Sequence, residues 1–288
     1  MTVISWPKSL LAEVAERRCV IVLGAGASAS SVNKDGASPR DWLGFINAGI
    51  NRMGRTDDQN AARSLLDHGA ALDAAQVVAD SLGAADFSLF IRDEFEKPGF
   101  EPSELHQLIL AIDPKVVITT NYDTFLESLA RSGAGVAGYN VCRYHDSHLV
   151  NDLRSNRRVI VKAHGCVSDP QRVVLTRKQY FTARRDYPHF FAALDALFLN
   201  STLLFIGTGF TGDPDLELLL QNTYISAPSE HPHYALVQGG RHPSVTRAIE
   251  QTYNVKFLEY EAGHHEQVVE ALRGLSDDVS AYRAVGGS

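Results

Sequence analysis

The sequence predicts an α/β fold: a Rossmann-like, doubly wound parallel sheet of about six strands with a helical insert after the first strand. Three observations predict it. Runs of β-branched and aliphatic residues are apolar at consecutive positions, as suits strands buried on both faces. The segments between most of these runs are long enough for crossover helices. Four short segments, each closing such a run, follow in a fixed order: Gly24-Ala25-Gly26-Ala27-Ser28, Thr119-Thr120-Asn121-Tyr122-Asp123, Ala163-His164-Gly165 and Gly207-Thr208-Gly209-Phe210. Small residues at strand ends let a phosphate-bearing ligand reach backbone N–H groups, and the Asn and His are the strong chemical groups beside them.

Taken in order, Leu10, Leu11, Val14 and Ala15 recur at helical spacing after Pro7 and predict an opening amphipathic helix. Cys19 to Leu23 reads as the first buried strand. The pattern then turns helical over Trp42 to Met53, Gln59 to Leu82, Phe87 to Phe95 and Leu105 to Ile112, so 43–112 is read as a helical insert or small subdomain within one domain, 1–288. Strand signals return at Val116 to Thr119, Val159 to Val161, Leu203 to Ile206, Tyr234 to Val237 and Val255 to Leu258. Helices are expected at Thr124 to Arg131, Tyr187 to Leu199, Asp215 to Tyr224, Ser244 to Tyr253 and His265 to Leu272. Pro188, Pro214 and Pro243 fall near three of their starts, where a missing N–H matters little. Ala284 to Ser288 is the one tail candidate.

Composition narrows the function classes. With 34 acidic against 27 basic residues, a net charge of −7 and no long basic block, direct nucleic-acid binding is not expected. Cys19, Cys142 and Cys166 are widely spaced, and the polar-flanked N-terminal helix pattern lacks a signal-peptide core. No apolar run approaches the ~20 residues of a membrane helix. A cytoplasmic protein with no membrane association is the expectation.

Gly24-Ala25-Gly26-Ala27-Ser28-Ala29 fits the G-x-G-x-x-G/A phosphate loop, in which the first glycine permits a tight turn and the second lets a pyrophosphate approach the backbone. Small residues at a strand–helix turn also arise from packing alone. The usual acidic residue closing a second strand ~20 residues on is missing. Asp41 stands at a tempting distance but precedes a helix. Asn121 can hold a water or a ribose hydroxyl without changing charge, and His164 can accept a proton near neutral pH. The bland rivals are a turn-satisfying Asn and a turn-capping His.

Together the four segments resemble the Sir2 (sirtuin) family, in its SIR2-like branch without the zinc module. The resemblance spans roughly Val20 to Val237. It implies that the loop Gly24, Ala25, Gly26, Ser28 binds NAD. Ser38-Pro39-Arg40-Asp41-Trp42 resembles the family's flexible cofactor loop, with the deacylases' Pro-Asp-Phe-Arg replaced. Thr119-Thr120-Asn121-Tyr122-Asp123 matches Thr-Gln-Asn-Ile-Asp, with Thr120 in the Gln place. His164-Gly165 matches the strand-end His-Gly, and Gly207-Thr208-Gly209 matches Gly-Thr-Ser with Gly209 in the Ser place. The resemblance therefore assigns Asp41, Thr120, Asp123, Gly207, Thr208, Gly209 and Phe210 to the cofactor site, and Asn121 and His164 to catalysis. Asp123 is read as a loop support rather than a nucleophile, and Asp213 as part of a helix N-terminus.

Sirtuin deacylases carry a four-cysteine zinc ribbon that helps build the acyl-lysine cleft. Three cysteines without C-x-x-C spacing cannot form it, so no metal is expected and water becomes the favoured acceptor. His145, Asp146 and His148, the pair His231 and His233, and the pair His264 and His265 are read as solvated, and His106 as a packed core histidine. The resemblance implies an NAD hydrolase that yields nicotinamide and ADP-ribose, with NAD as substrate, of the kind found as bacterial anti-phage effectors. It further implies a homo-oligomer and a separately encoded sensor such as a HerA-like ATPase or a short Argonaute, since the chain has no room for a fused one. The alternatives are an NAD-dependent protein deacylase or ADP-ribosyltransferase, and a non-hydrolysing NAD- or ADP-ribose-binding regulatory subunit.

Overall fold

The structure is a computed structural model that describes residues 4–132, 138–208 and 231–286. Its centre is an all-parallel sheet of seven strands in the order β3-β4-β2-β1-β5-β6-β7. These are β1 Cys19–Leu23, β2 Val116–Thr119, β3 Tyr139–Arg143, β4 Arg158–Lys162, β5 Thr202–Ile206, β6 His233–Gln238 and β7 Val255–Tyr260. The α/β, doubly wound class is the one predicted, with one strand more. The added strand β3 is the sheet edge, and its partial burial has none of the continuous apolar character that marks the central strands.

Strand side chains divide between the two faces as period-two geometry requires. In β1, Val20 and Val22 enter one core with Val159, Val161, Leu203 and Phe205, while Ile21 and Leu23 enter the other with Val117, Ile160, Leu204 and Ile206. The first face is covered by α8 Leu149–Arg154, α9 Arg177–Asp186 and α10 Pro188–Asn200, with α11 Pro243–Tyr253 packed at its edge. The second is covered by α1 Lys8–Ala15, α6 Glu104–Ala111, α7 Phe125–Ser132 and α12 Glu266–Gly286. Residues 284–286, read as a tail, continue α12. The helix expected at Asp215 to Tyr224, with Pro214 at its start, lies outside the described residues.

Between β1 and β2 the chain forms α2 Ala25–Ser28, then α3 Trp42–Arg52, α4 Thr56–Asp67 and α5 Ala71–Phe95. These last three build a separate apolar cluster around Phe45, Ile46, Ile50, Val78, Phe90 and Ile91. The helix expected over Gln59 to Leu82 is two helices, broken at Gly69, whose φ of 75° is a left-handed turn favoured by glycine. By length and composition α5 could cross a membrane, with a most apolar window of mean hydropathy 1.3. Gly83, at φ 71°, divides it into 71–82 and 84–95, each shorter than the ~20 residues a span needs. Its apolar face is spent on the third cluster.

Candidate functional site

The loops after β1, β2, β4 and β5 meet at the carboxyl ends of the strands, where the neighbours of β1 are reached in opposite directions along the sheet. Open α/β sheets bind ligands in such a crevice. A cavity of about 670 Å³ lies there, lined by Gly26, Ser28, Thr120, Asn121, Asp123, His164, Gly207 and Thr208 among others. That volume falls in the range of small-molecule sites.

The glycines are required first by loop packing. A Cβ on Gly24 would lie 2.7 Å from Gly207 O, one on Gly26 would lie 2.9 Å from Gly207 Cα, and one on Gly207 would collide with Ala27 N. Gly207 also sits at φ 70°, so an L side chain there would be strained as well. Gly24 has an extended backbone, so its need is space rather than a left-handed turn. The backbone that approaches Gly26 is that of Gly207, held by the Gly26 N–H donating to Gly207 O at 2.8 Å. Packing and ligand access thus make the same demand on these positions. The Thr208 hydroxyl is buried at the cavity without a hydrogen-bond partner among the described residues, which leaves it a donor and acceptor for a bound group.

Asn121 is fixed by a chain of hydrogen bonds that runs from the cavity wall into the buried loop. Its Nδ2 donates to Gly24 O at 2.8 Å and to Ser28 Oγ at 2.7 Å. Because a carbonyl oxygen only accepts, the amide has one allowed orientation, and Oδ1 is its remaining hydrogen-bonding atom. Ser28 Oγ donates in turn to Asp123 Oδ2 at 2.5 Å, and Asp123 Oδ1 accepts from Phe125 N at 3.1 Å. Asp123 is buried and engaged, in line with a loop support. Between them, Tyr122 turns away into the helical cluster, with its hydroxyl donating to Val174 O at 2.9 Å and its ring edge on Phe95 at 5.4 Å. The helices inserted after β1 are in this way tied to the Asn121 loop.

His164 follows β4 and is buried at the cavity wall. Gly165 turns the chain at φ 82°, where a Cβ would meet Arg172 O at 2.5 Å, and Val174 N donates to His164 O at 3.0 Å. The turn and the returning segment hold the imidazole at the strand end. Asp41 lines the cavity too, but its Oδ1 caps α3 by accepting from Gly44 N at 2.7 Å. Ala25 and Thr120 are half-buried in the wall, whereas Gly209 and Phe210, with Asp213, lie outside the described residues.

A profile of the SIR2-like domain matches residues 115–258, half of the chain. The chain belongs to the SIR2-like family. Over 110 residues it is 26% identical to the NAD(+) hydrolase ThsA of Acinetobacter baumannii (strain 532279), a stretch that makes up 38% of this chain and 22% of that protein. The chain therefore aligns with about a fifth of that relative's length. A solved cytosolic 5'-nucleotidase IIIB bound to cytidine aligns over 94% of this chain and 91% of its own at 10% identity, with a TM-score of 0.37, too low to carry an argument.

Within this SIR2-like chain, the wall residues Gln238, Arg241 and Tyr260 went unassigned from sequence, and His265, read as solvated, lines the wall beside them. The same strand-end rule that marked β1 and β5 applies at the ends of β6 and β7, where Gly239 and Gly240 follow β6 directly and are the signal that could have found them. Two others unassigned, Lys162 and Glu127, lie buried beneath the site, since nothing in a strand pattern sets a Lys apart when both faces are covered.

The other histidines fall as follows. His106 is buried, its ring edge 5.1 Å from Phe125 and its Nδ1 paired with Ser103, and burial foremost pushes it down to about 4. His233 is pushed down to about 4 by burial as well, and its Nδ1 accepts from Leu203 N at 3.2 Å, so it is a strand-packing residue rather than a solvated one. Cys142 joins Asp146 and His148 within 4.8 Å, in the place given to His145. The Cys142 thiol is fully buried, donates to Arg143 O, and is pushed up to about 12 by burial and by Asp146 and Asp152.

Proposed function

We propose that this SIR2-like chain hydrolyses NAD at the bond between nicotinamide and ribose. The observation that carries the reading is the Asn121 amide, fixed by Gly24 O and Ser28 Oγ so that Oδ1 is left for a ligand, in a cavity whose wall also holds His164. Oδ1 accepts a hydrogen bond from a ribose hydroxyl or from the attacking water. As the C1'–N bond breaks, its electron pair neutralises the pyridinium nitrogen, so nicotinamide leaves without a general acid. The sugar passes through an oxocarbenium-like state, and water adds to C1' while His164 takes its proton. ADP-ribose and nicotinamide are the products. The glycine loops and Thr208 are the partners for the phosphates and ribose, in keeping with the hydrolase named among the relatives.

The partner and setting belong to the same proposal: a bacterial anti-phage effector, homo-oligomeric, held inactive until a separately encoded sensor triggers it, because unrestrained NAD loss would harm its own cell. Nicotinamide release by the purified chain, alone and with a neighbouring ATPase or Argonaute, tests it. His164→Ala and Asn121→Ala are expected to lower kcat by about 10²–10⁴ with the fold intact, and full activity in both would overturn the assignment. Release that depends strictly on an acyl-lysine peptide would move the reading to deacylation. Calorimetric binding of NAD without turnover, with the partner present, would move it to a regulatory subunit.

A further inference from the structure

Under the Asn121 loop lies a buried charge that the hydrolytic step does not use. Lys162, the last residue of β4, is fully buried, and the strand parity that sends Ile160 to the α7 face sends Lys162 there as well. Its ammonium lies 3.2 Å from Glu127 Oε1 on α7 and donates to Asp123 O. Glu127 is itself buried and also accepts weakly from the Cys166 thiol at 3.9 Å. Burial works against the charge on Lys162, but Glu127 and Asp123 outweigh it and hold the ammonium above its ordinary range. An ion taken wholly out of water is retained at a desolvation penalty of several kcal/mol, and apolar residues of similar volume often replace such pairs without loss of stability. Stability alone therefore does not account for it.

The contacts lead from the pair to the reacting end of the site. Lys162 clamps the main chain at Asp123, whose carboxylate accepts from Ser28 Oγ, which in turn accepts from Asn121 Nδ2. The loop that carries Asn121 is thus pinned on one side by Gly24 O and on the other by a cation anchored in β4, the strand that also leads to His164. We propose that Lys162, held by Glu127, is a positioning residue that sets the Asn121 amide and fixes its distance from His164, without touching substrate. A displacement of about 1 Å in such a group lowers rates by about 10²-fold. This inference rests on the hydrolytic reading of the site.

The test is the paired variant Lys162→Met with Glu127→Leu, which removes both buried charges together, so that neither is left unpaired, and releases the main chain at Asp123. The expected result is a folded chain with a thermal midpoint at or above that of the wild type, a KM for NAD within about twofold, and kcat lower by about 10- to 100-fold. Unchanged kcat in a folded double variant would overturn the proposal. If the double variant fails to fold, Lys162→Met with Glu127→Gln takes its place, which removes both charges and the donor to Asp123 O while keeping an acceptor for the Cys166 thiol, with the same criteria. Loss of the fold in both variants also counts against it, since the pair would then hold the sheet rather than the loop. A readout independent of turnover separates this from failure of the hydrolytic reading: the Asn121 side-chain amide resonances, identified by their loss in Asn121→Ala. In the wild type both Nδ2 protons should be protected from exchange, and in the paired variant that protection should fall. Protected resonances in a wild type that turns over no NAD even with its partner present would sink the hydrolytic reading alone, and unaltered protection in the variant would sink the positioning role alone.

Discussion

The two ends of the sheet are built from opposite materials. At the amino ends of the strands, Asp113 sits between Arg17 and Arg158, accepting from Arg17 Nε at 3.1 Å and Arg158 Nη2 at 2.8 Å, while Arg283 of α12 donates to Ala15 O and Ile112 O. At the carboxyl ends, glycine backbones touch one another, the Asn121 and His164 side chains line a cavity, and the Thr208 hydroxyl stands unpartnered among the described residues. At the first end the Asp113 carboxylate and the Arg283 guanidinium are matched within the protein. The second leaves hydrogen-bonding capacity unspent and fills space with main chain. Conserving polar capacity for a ligand and satisfying it internally are incompatible at one place, so the fold separates them by the length of a strand.

The largest effect that would break this comparison is expected at Gly207. Gly207→Ala forces a Cβ into Ala27 N at a left-handed φ, and a loss of roughly 3 kcal/mol or more is expected in denaturant unfolding, with activity lost alongside it. A stable, active Gly207→Ala chain would mean that the loops do not meet as described.

Next in size is Asp113→Asn, which tolerates the left-handed φ of 58°, removes the charge and turns one of the two accepting oxygens into a donor facing a guanidinium. A loss of about 1–3 kcal/mol with kcat and KM unchanged is expected, the reverse of the Asn121→Ala pattern. Burial opposes the charge on Asp113, but the Arg158 and Arg17 guanidiniums outweigh it and hold its carboxyl below the usual range. A depressed acid stabilises above its unfolded pKa of ~3.9, and that contribution disappears as pH falls through the lower folded value.

The histidines sharpen the comparison at milder pH. His106 under the site and His233 at the start of β6 are each pushed down to about 4 by burial, so the unfolded chain binds their protons first. Stability should therefore fall as pH drops from the unfolded ~6.5 towards 4, before the Asp113 cluster titrates. Unfolding free energies measured across that window should show protons taken up by both, and His106→Asn should remove one of them. The smallest effect is expected at Arg18, whose exposed pairing with Glu13 and Glu16 should leave the thermal midpoint unmoved in Arg18→Ala.

Much of the fold was legible because its central strands are buried on both faces. β1, β2 and β5 stand out as unbroken apolar runs, and the glycine, Asn121 and His164 segments fall at their ends or next to them. The edge strand β3 was not, because a strand with one neighbour shows only partial burial, and Tyr139, Val141 and Cys142 are too few to signal it. The break between α4 and α5 was missed for a related reason. The apolar residues on both sides face the same cluster, so the helical pattern runs on through Gly69.

By itself the sequence determined which chemical groups this protein has and the order in which strands deliver them, since both follow from local residue type and periodicity. Only the tertiary structure decided what those groups are free to do. Asp41 is spent on a helix cap, Asp123 on Ser28 and Phe125 N, and Lys162 on a buried carboxylate, whereas Asn121 keeps one oxygen. Each of these fates turns on a contact made in the folded chain, in several cases with a residue far away in sequence. Hydrogen-bonding capacity is finite, and which atom is left over is a property of the assembled site.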